Sequence, residues 1–209
     1  MLVGSKFVLF LSAAVVLAVM PGPGILYVLG RTLNGGRREG VISALGTFLG
    51  GLVHVVAAAV GLSALLVASA TAFQVVRYAG AAYLIYLGVM MIRTRHFPVQ
   101  TDGVSKEAGR RPFLQGITTE VLNPKTALFF LSFIPQFVVP NQGHAALQFL
   151  LLGSISVALN TAVDLIVVFF AAFLVQRIRT SQGFYTKQRA TSGLGMIGLG
   201  VYVAVADNR

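Results

Sequence analysis

Apolar runs of about 20 residues recur along this chain, and their length narrows its fold more than any other feature. A hydrocarbon core roughly 30 Å thick is crossed by about 20 helical residues, and backbone polar groups inside it must be paired within the protein. Runs at 7–29, 41–68, 72–92, 113–139, 146–176 and 191–206 match or approach that length. Only 11% of the 209 residues are charged, against about 25% in a soluble domain. Such a chain cannot cover a water-facing surface. The expected fold is an all-α integral membrane protein with about six transmembrane helices in one domain, 1–209.

The net charge of +10 raises the question of nucleic acid, but its distribution answers a different one. The joints after the first, third and fifth runs hold twelve Lys and Arg, including Arg37, Arg38, Arg110, Arg111, Arg177 and Lys187. The opposite side has only Lys6 and Arg209. Positive charge is retained on the cytoplasmic face, so the basic loops are expected in the cytoplasm and both termini outside. The longest of them, 94–112, is polar and basic. A multi-pass chain with a lipid bilayer as its surroundings and no nucleic-acid partner is expected.

Two of the apolar runs are interrupted. "PGPG" (21–24) breaks the first and "NPK" (123–125) the fourth. An interior Pro costs a helix about 3 kcal/mol and a Gly about 1. Both breaks fall roughly 15–20 Å into their helices at 1.5 Å per residue. The chain therefore divides into repeat one (1–93), the loop 94–112 and repeat two (113–209), two inverted three-helix halves with broken first helices. Paired Pro/Gly-interrupted segments point to a midplane binding site in secondary transporters. A single such break would read as a packing kink; two in mirrored places favour a site.

Broken helices expose unpaired N–H groups at the positive end of a dipole. Pro21, Gly22, Pro23 and Gly24, with Asn123, Pro124 and Lys125, are the candidate substrate-binding residues. Asn123 suits an N-cap with Pro124 behind it. Lys125 then sits at the positive end of a half-helix, a disfavoured place that a bound carboxylate would relieve. The second span of each half carries a small or polar stripe: Gly46, Gly50 and His54 in one, Ser156, Asn160 and Asp164 in the other. His54 and Asp164 are the proton-coupling candidates, the competing role being interhelical hydrogen bonding. Glu120 is expected near the cytoplasmic mouth and Arg77 at the outer interface. Gly46-x-x-x-Gly50 suits a homo-oligomer face or an internal seam equally well.

Enzyme chemistry finds little footing, with no cysteine and three histidines scattered along the chain. No nucleophile elbow, phosphate-binding loop or metal-ligand cluster is spelled out, and no cofactor is expected. The set "PGPG" (21–24), "GAAYLIYLG" (80–88), "LNPKTALFFLSFIPQF" (122–137) and "RATSGLGMIGLGVYVA" (189–204) resembles the LysE/RhtB amino-acid exporters. The resemblance spans nearly the whole chain. It implies export of a small amino acid or derivative across the cytoplasmic membrane by proton antiport. It also implies that the two breaks frame the substrate path, and brings in Tyr83 and Tyr86, which either line the path or pack helices. The alternatives are an exporter of metal cations or another small metabolite, and a passive channel.

Overall fold

The computed structural model describes residues 4–93, 111–139, 144–180 and 182–205. Most of the expected loop 94–112 lies outside them. Among the described residues every regular element is helical. Helix α1 runs Ser5–Val19 and α2 Pro23–Ala57, continuing through a π-helical turn, Ala58–Leu62, into α3, Ser63–Ala68. Then come α4 (Ala70–Arg93), α5 (Pro112–Val121) and α6 (Pro124–Leu128), followed by a π-helical turn and a 3₁₀ turn to Phe137. Helices α7 (Ala145–Thr180) and α8 (Gln182–Val205) complete the chain.

Among the described residues three stretches are long and apolar enough to cross a membrane: Pro23–Leu65, Thr71–Met90 and Ala145–Ala171. The stretches Lys6–Val19 and Gly193–Val205 are apolar but shorter. The expected span 113–139 is divided among α5, α6 and the turns after them, because Pro124 and Pro135 each deny a helical hydrogen bond.

Helix α2 consists of two arms. At Gly36 the backbone takes φ 77°, ψ −179°, a region that penalises any Cβ. The chain reverses there, which brings Thr32 against Gly40 although a continuous helix would hold them about 12 Å apart. The arms then grip α5 from two sides. From the first, Tyr27 donates from its hydroxyl to the Pro112 carbonyl at 2.5 Å. The buried Arg31 pairs with Glu39 at 3.4 Å and donates to the Gln115 side chain. On the second, any side chain at Gly46 would run into the Phe113 carbonyl, and one at Gly116 into the backbone of Ser43 and Thr47. The Gly46-x-x-x-Gly50 seam is thus internal, packed on α5, since only the absence of a Cβ lets these backbones approach so closely.

The core lies where α1 meets the segment after α6. Phe10 packs on Phe133 and Phe137, and Phe133 on Phe129 and Phe137, with ring centroids 4.8–6.3 Å apart. Outward faces carry large exposed apolar side chains such as Val60, Leu122, Phe173 and Leu194, a surface suited to lipid. One expectation fails here. Arg77 does not reach outward; it is 2% exposed and donates to the Val203 carbonyl at 2.9 Å. The last carbonyls of α8 lack helical partners, and a buried guanidinium on α4 satisfies one of them.

Candidate functional site

Prolines create both breaks, and each removes the helical donor four residues after a carbonyl. The Leu17 carbonyl is left to accept from the Met20 backbone N–H at 3.2 Å and the Glu120 carbonyl from that of Asn123 at 3.1 Å. The residue before a proline is pushed out of helical geometry. Accordingly Met20, before Pro21, has ψ 124°, Gly22, before Pro23, has ψ 179°, and Asn123, before Pro124, has ψ 108°. In an uninterrupted helix the Leu17 carbonyl would accept from residue 21, and the Glu120 carbonyl from residue 124. Both of those residues are prolines with no N–H.

Each of these carbonyls also receives a side chain from the other half of the chain. The Lys125 ammonium donates to the Leu17 carbonyl at 3.1 Å and to the Met20 carbonyl at 3.0 Å. His54 Nε2 lies 3.0 Å from the Glu120 carbonyl; a carbonyl only accepts, so Nε2 carries the hydrogen. The His54 ring stacks on Phe130 with centroids 5.8 Å apart. Each break is thus tied to the other half of the chain, the first through Lys125 and the second through His54 of α2.

The opposite ends of the breaks are also answered from within the chain. Asn123 caps α6 as expected, its Oδ1 accepting from the Lys125 backbone N–H at 3.1 Å. Glu120 is 6% exposed. Its carboxylate accepts from Asn123 Nδ2 at 3.0 Å and from Thr126 Oγ1 at 2.6 Å. It also lies against the first turn of α2, where a Cβ on Gly24 would come within 2.5 Å of Oε2. Free N–H groups and the positive dipole end gather there, so the electrostatics favour that carboxylate. Lys125 sits conversely at the carbonyl end of α1, the negative end of its dipole. Its charge is thus relieved by protein carbonyls, where the sequence suggested a bound carboxylate for that purpose.

A narrow cavity opens between these groups. Its walls include Gly24, Thr47, Glu120, Asn123, Lys125, Asn160, Thr161 and Asp164. The volume is about 20 Å³, where about 10–15 Å³ of this kind of space holds one water. Asp164, 5% exposed, accepts at Oδ2 from Thr47 Oγ1 at 2.9 Å. The same Thr47 hydroxyl lies 2.9 Å from the Ala44 carbonyl. One hydroxyl hydrogen cannot serve two acceptors at once. Either Thr47 donates to an ionised Asp164, or it donates to Ala44 and accepts from a protonated Asp164. The geometry fits both states.

Of the residues singled out from the sequence, Gly24, Asn123, Lys125 and Asp164 line the cavity, and Gly22 packs on the stem of Lys125. Pro23 and Pro124 are exposed and Pro21 half-buried; they shape the breaks. His54 is absent from the cavity walls. Tyr83 is half-buried on α4 beside the exposed Tyr86, with ring centroids 5.7 Å apart, and is likewise absent from those walls. Glu120 moves the other way, from the expected mouth to the centre of the cluster. Its signal was the position four residues before Pro124, where the helix must end and a carboxylate can reach a neighbouring N-terminus.

The chain matches the LysE type translocator family over residues 15–207. It is 34% identical over 214 residues to an uncharacterized membrane protein of Pseudomonas aeruginosa, covering 97% of this chain and 96% of that one. A Vibrio cholerae membrane protein is 31% identical, with 94% and 95% covered. The homoserine/homoserine lactone efflux protein of Salmonella typhimurium is 34% identical over 170 residues, covering 81% of this chain and 80% of that protein. No solved structure matches. Matched along nearly its whole length, the chain is a membrane protein that belongs to the LysE type translocators.

Proposed function

We propose that this protein is a secondary transporter that exports a small amino acid or amino-acid derivative across the cytoplasmic membrane in exchange for protons. The observation that carries the reading is a cavity beside the two proline breaks with Lys125, Glu120 and Asp164 in its walls, Lys125 of the second break donating to the carbonyls of the first. Irregular backbone at membrane depth is tolerated where it lines such a cavity. Ionisable groups there are costly, and they mark substrate or proton pathways. The efflux protein among the relatives supports the same direction of transport.

The mechanism follows from charge. With both carboxylates ionised and Lys125 protonated, the cavity holds one negative charge in excess. A single monovalent cation completes neutrality, and either a substrate ammonium or a proton on Asp164 can be that cation. Their mutual exclusion at one carboxylate is what couples outward passage of substrate to inward passage of a proton. Thr47 keeps a hydrogen bond to Asp164 in both states. A substrate carboxylate, where there is one, meets the remaining N–H of Lys125. The cavity is too narrow for an amino acid, so the two halves, inverted relative to each other and with basic loops in the cytoplasm, must part to admit one.

The test is flux from proteoliposomes loaded with a mixture of labelled amino acids, with and without an imposed proton gradient. Saturable, gradient-accelerated loss of one or a few of them is expected. Unsaturable leakage indifferent to the gradient would replace the carrier with a channel.

A further inference from the structure

The polar walls of the cavity can hold either charged end of an amino acid. Lys125 and the Asn160 amide supply donors, while Glu120, Asp164 and the Asn160 carbonyl supply acceptors. Those ends are common to all amino acids, so these groups leave open what limits the side chain. Apolar atoms need apolar walls, because polar groups pressed against them lose their hydrogen bonds. Among the described residues only Ile25 and Val157 bring apolar side chains to this cavity.

Val157 is the more firmly held of the two. With Asn160, Thr161 and Asp164 it stands at i, i+3, i+4 and i+7 on one face of α7, about 10 Å along the helix from Asp164. It is 2% exposed. A Cβ on Gly51 of α2 would lie 3.0 Å from both of its methyl carbons, so Val157 fills the space that a side chain at 51 would need. Beyond it the wall is shut. One turn earlier on α7, a Cβ on Gly153 would meet Phe130 at 2.9 Å and Val55 of α2 at 3.1 Å, and both belong with Val157 to one packed core. A side chain branched at Cβ keeps one χ1 rotamer on a helix, which makes this end of the cavity rigid. Ile25, half-buried in the first turn of α2, packs instead on Val167 and Ala171, on the far side of Asp164 along α7.

We infer that Val157, seated on Gly51, is the residue that sets the length of side chain the exporter accepts. One half of the chain supplies the methyl groups and the other the bare backbone on which they rest. Removing the methyls extends the cavity into the space at Gly51, and adding one shortens it. The inference rests on the exporter reading and names the contact that governs its specificity.

Competition in equilibrium exchange tests it, using the full chain in proteoliposomes with no imposed gradient. The label is whichever amino acid the flux assay finds to be carried. The unlabelled competitors are alanine, 2-aminobutyrate, norvaline and norleucine, each longer than the last by one methylene. The readout is the half-maximal concentration of alanine divided by that of norleucine, a ratio that a general loss of activity does not move. Val157→Ala should raise it about tenfold, the discrimination that one or two methylenes give in an apolar pocket. Val157→Ile, which keeps the branch at Cβ and adds one methylene, should lower it by about threefold or more, and decides the matter alone should Val157→Ala fail to insert. A change below about threefold, inhibition by none of the four in either protein, or a shift produced by Ile25→Val and not by Val157→Ala would overturn the inference while leaving the exporter standing. Exchange of no amino acid by folded, inserted wild-type protein would overturn the exporter reading itself, and this inference with it.

Discussion

The ammonium of Lys125 donates to the carbonyl of Leu17 at 3.1 Å, the carbonyl that Pro21 leaves without a helical donor. This one relationship ties the break in the first half of the chain to the break in the second. Replacing Lys125 with Met should take the side-chain donor from the Leu17 and Met20 carbonyls, the first of which keeps only the Met20 backbone N–H, and leave Glu120 and Asp164 without a counter-charge. A loss of about 3 kcal/mol is expected from breaking a buried, hydrogen-bonded charge group. The thermal midpoint in detergent, followed with flux in proteoliposomes, should fall together with transport.

Pro21→Ala should separate those two readouts. An alanine restores an N–H that competes with Lys125 for the Leu17 carbonyl, and it removes a residue that costs a helix about 3 kcal/mol. The thermal midpoint should hold or rise while flux falls about tenfold, equivalent to ~1.4 kcal/mol. A variant that is stable and fully active would show that the break has no part in transport.

Asp164→Asn keeps the size of the side chain and a partner for Thr47 but removes the charge. Exchange should drop by about tenfold or more, and the residual flux should no longer respond to a proton gradient. His54→Gln should differ. Its amide can still donate to the Glu120 carbonyl that His54 reaches at 3.0 Å, so gradient-driven flux should stay within about threefold of wild type. Loss of the gradient response in His54→Gln alone would move the proton from Asp164 to His54.

Gly24→Ala probes the seat of the Glu120 carboxylate. The added methyl would stand 2.5 Å from Oε2, so Glu120 must leave the first turn of α2. A cost of about 1–3 kcal/mol is expected, as for overpacking a filled site, with a matching loss of flux. Gly61→Ala, where a Cβ meets nothing within 4 Å, is the control and should lower neither thermal midpoint nor transport.

Much of this was legible in the sequence because membranes impose one-dimensional rules. Run length against bilayer thickness indicated helices, and prolines 21 and 124 announced breaks that the backbone then shows. Asn123 read as a cap from its place before Pro124. These inferences need only local sterics and the demand that backbone groups be paired. The small residues at 46 and 50 were visible as well, but their use was open, since a close-approach seam looks the same whether its partner is α5 or a second molecule.

Pairing between distant residues was not legible. From the sequence Lys125 was a cation at an unfavourable helix start; folding places it at the carbonyl end of α1, where the break at Pro21 leaves room for a further donor to the Leu17 and Met20 carbonyls. Glu120 was an acid near a mouth, and folding sets it against α2. Arg77 was a snorkelling residue, and folding gives it the Val203 carbonyl. The sequence by itself determined where the backbone must break and therefore which polar groups would be orphaned. Only the tertiary structure decided which side chain answers each one, because a buried charge is worth its desolvation only where three-dimensional packing delivers a partner within hydrogen-bonding distance.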